Sequence, residues 1–198
     1  MLKLYRVSID KYEKDEERDK LYSLLNEKEQ KIVNSIKNEY VKLTKLTSIA
    51  VTKLIASLHL NINARDTRVI YDDMGKPHID NSPYFFHSVS HTEKILLILV
   101  SDSPCGVDVE SIDRKIDLQT LKTIISKRTP FDTDREFDLK TFLELYTKAE
   151  AFFKMTGREL KECKAEEILS NTKTVCQDKF MVSVCSNNIL EEIEIVDF

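Results

Sequence analysis

Glycine and proline are scarce, three and four in 198 residues, which argues against linkers, collagen-like tracts and disordered low-complexity segments. The four cysteines (Cys105, Cys163, Cys176, Cys185) show neither C-x-x-C spacing nor a metal-finger pattern. They are expected to be reduced, mostly buried small hydrophobes of a cytosolic protein. Long hydrophobic runs are absent; the longest, Ile95 to Val100, is far too short to span a bilayer. The opening Met-Leu-Lys-Leu-Tyr-Arg turns acidic by Asp10, unlike a signal peptide, so a cytoplasmic protein without a membrane association is expected. Nor is there an excess of positive charge. With 30 basic and 34 acidic residues the net charge is −4, which excludes a general polyanion or nucleic-acid binder. Any phosphate or nucleotide site must come from a local cluster.

What is present suits a soluble globular chain, 41% hydrophobic and 32% charged, long enough to bury a real core in one domain or two small ones. Leu2 to Ile9 has the pattern of a strand. Leu21 to Lys37 has helical spacing, and Tyr40 to Leu60 is a second helix with apolar residues at Leu43, Leu46, Ile49, Ala50, Leu54 and Leu58. Lysines 28, 31, 37, 42 and 45 lie between those stripes, where a wet helix face ordinarily carries lysine. Arg68 to Tyr71 is a short strand, and Asp72-Asp73-Met74-Gly75-Lys76-Pro77 is turn chemistry. Phe85 to Ser90 and Ile95 to Val100 are further strands, followed by helical spacing over Ile116 to Ser126 and an acidic loop over Pro130 to Asp138. Phe142 to Gly157 has no breaker inside it and glycine at its C-cap position. Thr174 to Cys185 and Ile189 to Val196 alternate as two strands, with a hairpin expected around Ser186-Asn187-Asn188. Each half thus reads strand, helix, strands, an α+β arrangement with a boundary near Ser101–Pro104.

The chain is organised around Cys105-Gly106-Val107-Asp108-Val109-Glu110. Val107 and Val109 alternate with two carboxylates, so Asp108 and Glu110 share one strand face. Like charges held that close drive one group toward its neutral form unless a cation lies between them. Oxygen-only donors suit a hard ion such as Mg²⁺; the same spacing also describes a strand with a solvated acidic face. Farther on, Tyr146, Glu150 and Lys154 follow one another at helical i, i+4 spacing.

Four blocks arrive in order: Gly75-Lys76-Pro77; Ser90-His91-Thr92; Gly106-Val107-Asp108-Val109-Glu110; and Tyr146-Thr147-Lys148-Ala149-Glu150-Ala151-Phe152-Phe153-Lys154. Together they resemble the patterns of the 4′-phosphopantetheinyl transferases, in the longer pseudo-dimeric class typified by surfactin synthetase activators: G-K-P, S-H-S, G-[IV]-D-[IV]-E and W-[ST]-x-K-E-[AS]-x-x-K. The resemblance implies the fold of that family, two similar α/β subdomains (1–103 and 104–198) related by a pseudo-twofold axis, with coenzyme A in the cleft between them. By position, Asp108, Glu110 and Glu150 look like Mg²⁺ ligands, and Lys154 like the lysine contacting the coenzyme A pyrophosphate. Ser90 and His91 look like a phosphate-contacting pair. Lys76 and Pro77 look like part of the adenine and ribose-phosphate pocket, joined by Lys28 and Lys31, with Lys42 and Thr44 as the next basic and hydroxyl positions in a register ambiguous by one residue.

The implied reaction moves phosphopantetheine from coenzyme A to a serine of an acyl or peptidyl carrier protein, with Asp108, Glu150 and Lys154 as the catalytic group. Glu150, through a bridging water, is the candidate general base. A monomer is expected, since one chain holds both halves. The chain departs from the pattern in three places. The family's lysine before the glutamate is Ala149, with Lys148 one place earlier; the tryptophan is Tyr146; and an F-S-x-x-E motif is replaced by Ile125-Ser126-Lys127-Arg128-Thr129. The stretch from Arg114 to Arg128 is the candidate docking face for an acidic carrier. Two rival functions are a non-catalytic coenzyme-A-binding relative and an Mg²⁺-dependent phosphate hydrolase.

Overall fold

The computed structural model of the chain describes residues 2–92, 94–132, 138–187 and 193–198. Strand β1 (Leu2–Ser8) leads through a 3-10 turn to helices α1 (Asp15–Tyr22), α2 (Glu27–Asn34) and α3 (Glu39–Leu60). Strands β2 (Val69–Tyr71), β3 (Pro77–Ile79), β4 (Phe86–His91), β5 (Ile95–Ser101) and β6 (Cys105–Ser111) follow. Helices α4 (Leu118–Arg128), α5 (Leu139–Thr156) and α6 (Ala165–Ser170) precede β7 (Thr172–Gln177), β8 (Phe180–Ser186) and β9 (Glu194–Asp197). Mixed helices and separate sheets make this an α+β fold. No helix among the described residues is long and apolar enough to cross a membrane. All four cysteines are free, and three of them are buried.

Two sheets carry the molecule. One has the order β4-β5-β1-β9 and the other β6-β8-β7, while β2 and β3 form a separate hairpin. One apolar cluster packs α3 onto β1 and β5 through Ile49, Ile55, Val7, Leu96 and Ile98. A second joins α4, α5 and α6 through Leu121, Ile125, Phe142, Phe152 and Ile168. A third seals one sheet to the other through Leu4, Leu97, Leu99, Val107, Val109 and Val184.

Three expectations are corrected. The helical stretch Leu21–Lys37 is two short helices, because the Asn26 side chain caps the N–H groups of Lys28 and Glu29, and Glu29 returns a carboxylate to the Asn26 N–H. That reciprocal capping box starts a new helix after Leu25. The hairpin expected at Ser186-Asn187-Asn188 falls instead at Asp178-Lys179, both at positive φ (49° and 70°), the backbone of a tight primed turn. The last strand, β9, does not pair with β8; it lies parallel to β1, Lys3 opposite Glu194 and Arg6 opposite Asp197. Residues 189–192 of that expected strand and 133–137 of the acidic loop lie outside the described residues.

The ends of α5 fix its register. Asp138 accepts a hydrogen bond from the Thr141 N–H at 2.8 Å, and Gly157 closes the helix at φ 67°, donating to the Phe153 carbonyl. Its C-terminal part crosses β6 at Gly106, where an added Cβ would stand 1.9 Å from the Ala151 carbonyl oxygen and 2.8 Å from the Met155 nitrogen. Both obstacles are backbone, so neither can turn aside. Gly106→Ala is therefore expected to cost about 3 kcal/mol and to lower the Tm by about 10 °C for a chain of this size, read by calorimetry.

On β4, His87 is buried against Phe85, and neither ring nitrogen has a hydrogen-bond partner among the described residues. Burial, with Lys76 and His78 nearby, pushes its pKa down to about 3. An unfolded histidine titrates near 6.5, so the folded chain refuses a proton that the unfolded chain accepts. Stability is then complete above about pH 6.5 and is lost as pH falls toward 3. Thermal melts from pH 7.5 to 5 are expected to fall more steeply for the wild type than for His87→Leu.

Candidate active site

The outward alternation of β6 ends in the site. Val107 and Val109 point into the seal between the sheets. Gly106, Asp108 and Glu110 lie on the opposite face of the strand, where α5 crosses. The absence of a side chain at Gly106 lets the helix come down, and the next two residues on that face are the carboxylates. Asp108 is only 7% exposed. The β6 strand is thus covered on both faces, not half-buried as its alternation suggests.

Asp108 Oδ1 accepts hydrogen bonds from Ser90 Oγ on β4 and from Lys154 Nζ on α5, both at 2.8 Å. Its other oxygen, Oδ2, is buried without a hydrogen-bond partner among the described residues. The Lys154 ammonium also donates to the Val107 carbonyl at 3.1 Å, which leaves one of its three N–H groups for a ligand. Ser88, one pleat before Ser90, accepts a hydrogen bond from the Val107 N–H at 3.1 Å. Two serines of β4 therefore stitch that strand to the edge of β6.

Glu110 and Glu150 come to the same place from β6 and α5. Burial raises the pKa of both carboxyls, with the Asp108 charge adding to it and an arginine opposing it in each case. Tyr146, one turn before Glu150, is pushed up to about 12 by burial and then by the charges of Glu150, Asp108 and Glu110. The arginines are Arg114, which donates to Glu110 Oε2 at 2.7 Å, and Arg128, whose Nη1 is 3.2 Å from Glu150 Oε1. Each carboxylate is thus closed by one cationic side chain. Among the described residues, no three acidic, histidine or cysteine groups are arranged to hold a metal ion together. The donor chemistry nevertheless fits a hard divalent cation: oxygen only, two carboxyls held above their usual range by burial, and one buried oxygen unpartnered.

A cleft opens beside these groups in two contiguous parts. One, about 240 Å³, is lined by Met74, Lys76, Ser88, Glu150, Phe153 and Lys154; the other, about 350 Å³, by Tyr40, Thr44, Lys45, Tyr71 and His91. They share Gly75, Pro77 and Val89. The Gly75 turn is held by Asp72, whose Oδ1 accepts from the N–H groups of Met74 and Lys76, and φ of +80° there requires glycine.

The structure gathers most of the expected residues. Asp108, Glu110, Glu150, Lys154, Ser90, Lys76, Pro77, Thr44 and His91 lie at the acidic cluster or along the cleft. Ser90 turns its hydroxyl to Asp108 rather than to the opening. Lys76 donates to the carbonyls of Lys154 (2.6 Å) and Cys105 (3.4 Å), so it ties α5 and β6 to the turn, and burial lowers its pKa. His91 stands exposed at the rim, yet the surrounding protein and then the Lys154 charge hold its pKa below the ordinary imidazole value. Lys42 faces a different depression with Arg18, Asp19 and Tyr22. Lys45, three residues on, lines the cleft instead, 3.0 Å from the Tyr71 hydroxyl and over that ring, beside Thr44. Lys28 and Lys31 are exposed on α2 and line neither part of the cleft. Ser88, Lys45 and Tyr71 were not legible as cleft residues, because nothing local distinguishes them from surface polar groups; Arg114 and Arg128 bound the stretch expected to face a carrier, but their pairing with Glu110 and Glu150 was not legible.

No family model matches the chain. Among curated proteins it is similar to 4′-phosphopantetheinyl transferase Sfp of Bacillus subtilis (strain 168), 26% identical over 163 residues, 80% of this chain and 72% of that protein. It is likewise similar to 4′-phosphopantetheinyl transferase ffp of Bacillus subtilis, 27% identical over 165 residues with the same coverage. Both similarities, each over 80% of the chain, are to 4′-phosphopantetheinyl transferases, the superfamily whose patterns the four sequence blocks resemble, and they support its Sfp-like class.

Proposed function

We propose that the chain transfers the 4′-phosphopantetheine group of coenzyme A to a serine of an apo acyl or peptidyl carrier protein, releasing 3′,5′-adenosine bisphosphate. The observation that carries this is Asp108. It is a buried carboxylate shared between Ser90 and the cleft-lining Lys154, with one oxygen unsatisfied among the described residues. Asp108, Glu110 and Glu150 would hold Mg²⁺, which when bound neutralises diphosphate charge and charge developing on the departing phosphate. The free N–H of Lys154 is placed to donate to the same diphosphate. Glu150, through a bridging water, accepts the proton of the carrier serine as its oxygen bonds to the β-phosphorus and the bond to the adenosine bisphosphate breaks. Lys45, Tyr71, Pro77 and His91 line the part of the cleft left for the nucleotide.

On this proposal residues 1–103 and 104–198 are the two pseudo-symmetric halves flanking the coenzyme A cleft, in a cytoplasmic monomer. The stretch from Arg114 to Arg128 faces the acidic carrier. One observation favours the rival in which coenzyme A is bound without transfer. Ala149, at the family's lysine position, is fully buried, and Lys148 pairs with Glu144 at 2.7 Å on its own helix. Neither supplies the missing ammonium.

Intact-mass measurement after incubation with coenzyme A, Mg²⁺ and several apo carrier proteins separates these outcomes. A phosphopantetheine mass on the carrier serine is expected, and Asp108→Asn is expected to slow its appearance by about 10³-fold with circular dichroism unchanged. Tight coenzyme A binding with no mass gain on any carrier would establish the binding-only rival, and phosphate release without carrier modification the hydrolase.

A further inference from the structure

We propose that Arg114 and Arg128 are the resident counter-ions of the acidic site, and that a divalent cation enters by displacing both. Metal binding and release of the two arginines are then one linked event. This deepens the transfer proposal and rests on it for the identity of the cation-binding acids.

Three carboxylates meet three cations: Asp108 with Lys154, Glu110 with Arg114, Glu150 with Arg128. The cluster is electrically balanced as it stands. Before any diphosphate is bound, a divalent ion that replaces two monovalent side chains leaves that balance unchanged, whereas one added on top would leave two uncompensated charges in a poorly solvated site. Which two cations leave is decided by how each is held. Lys154 has two acceptors, Asp108 Oδ1 and the Val107 carbonyl, and its side chain is 27% exposed. Arg114 and Arg128 are 43% and 54% exposed, above carboxylates only 19% and 15% exposed. Each arginine reaches the site by the tip of a long arm, and a guanidinium is readily returned to water.

The scaffolds beneath these groups differ in the same sense. Glu110 and Glu150 sit on the rigid crossing of β6 and α5. Arg128 is in the last turn of α4, a helix held from below by Leu121 and Ile125, 2% and 1% exposed. Arg114 is in the turn after β6, where its N–H bonds to the Ser111 carbonyl. Both arms can therefore swing clear without moving the backbone that carries the acids. Once released, two guanidinium groups stand beside the loaded site. A negatively charged partner that engages them favours the metal-bound state, and the metal favours that partner by the same factor.

Electron paramagnetic resonance titration of the full chain with Mn²⁺ tests this without any turnover, alongside melts in chelator and in Mn²⁺. Arg128→Ala is expected to bind Mn²⁺ about fivefold more tightly than wild type, with Arg114→Ala in the same direction and Arg128→Lys near wild type. In chelator the alanine variants are expected to melt lower, because a part-buried glutamate loses its partner, and their rise in Tm on adding Mn²⁺ is expected to be larger. Equal or weaker Mn²⁺ binding by both alanine variants, with the wild type binding normally, would overturn counter-ion exchange and leave the transfer proposal standing. Absence of Mn²⁺ binding by every protein, with and without coenzyme A, would overturn both.

Discussion

The site depends on how closely α5 can lie on β6, and that distance is set by one missing side chain. At Gly106 the helix backbone occupies the space where a Cβ would be. Ala151, the helix residue over it, is itself small and fully buried. Everything catalytic is measured from this crossing. Asp108 is the next residue on that face of the strand, and Lys154 is one turn further along the helix, so their 2.8 Å contact follows from the approach of the two backbones. The Lys76 ammonium then fastens the crossing to the Gly75 turn through the carbonyls of Lys154 and Cys105. One wall of the cleft is thereby tied to the other by a side chain that sequence pattern alone assigns to ligand contact.

Around that crossing the chain concentrates charge in a place with little water. Burial alone raises the carboxyls of Glu110 and Glu150, and the mutual repulsion with Asp108 raises them further. Three cations relieve this, but from three separate directions: α5, the turn after β6, and the end of α4. Such a cluster tolerates exchange of partners better than removal of partners, because an uncompensated charge in a part-buried site is costly. Oδ2 of Asp108, unsatisfied among the described residues, is what remains when one lysine and one serine share a single oxygen of the carboxylate.

The other half of the molecule holds the opposite wall still. Glu29 is 2% exposed and Lys53 fully buried, and they pair at 2.8 Å. The same carboxylate receives the N–H groups of Asn26 and Val69, so one acid joins α2, α3 and β2. With its hydrogen bonds met, that buried pair serves as a rigid joint. Behind it α3 lies on β1 and β5, which fixes the direction in which Lys45 and Thr44 face the cleft.

The amino-acid sequence determined the parts whose information is local. The breaker-free apolar stripe and Gly157 gave the end of α5 and placed its start three residues late, the periodicity of Tyr40–Leu60 gave α3, and the alternation in Val107-Asp108-Val109-Glu110 put two acids on one strand face. Four short blocks in order pointed to the family of the relatives that match 80% of the chain. Tertiary structure decided what depends on partners distant in the chain. The hairpin at Asp178-Lys179 lacks the glycine or asparagine that marks such turns, and β9 is defined by pairing with a strand 191 residues earlier. Lys42 and Lys45 are equivalent by composition, and only the packing of α3 says which one reaches the cleft. Arg128 and Glu150 lie on different helices, so their contact exists only once α4 and α5 share a core. Helical and strand periods act between near neighbours and can be read from the chain; the pairing of charges across a cleft is a property of folded distances alone.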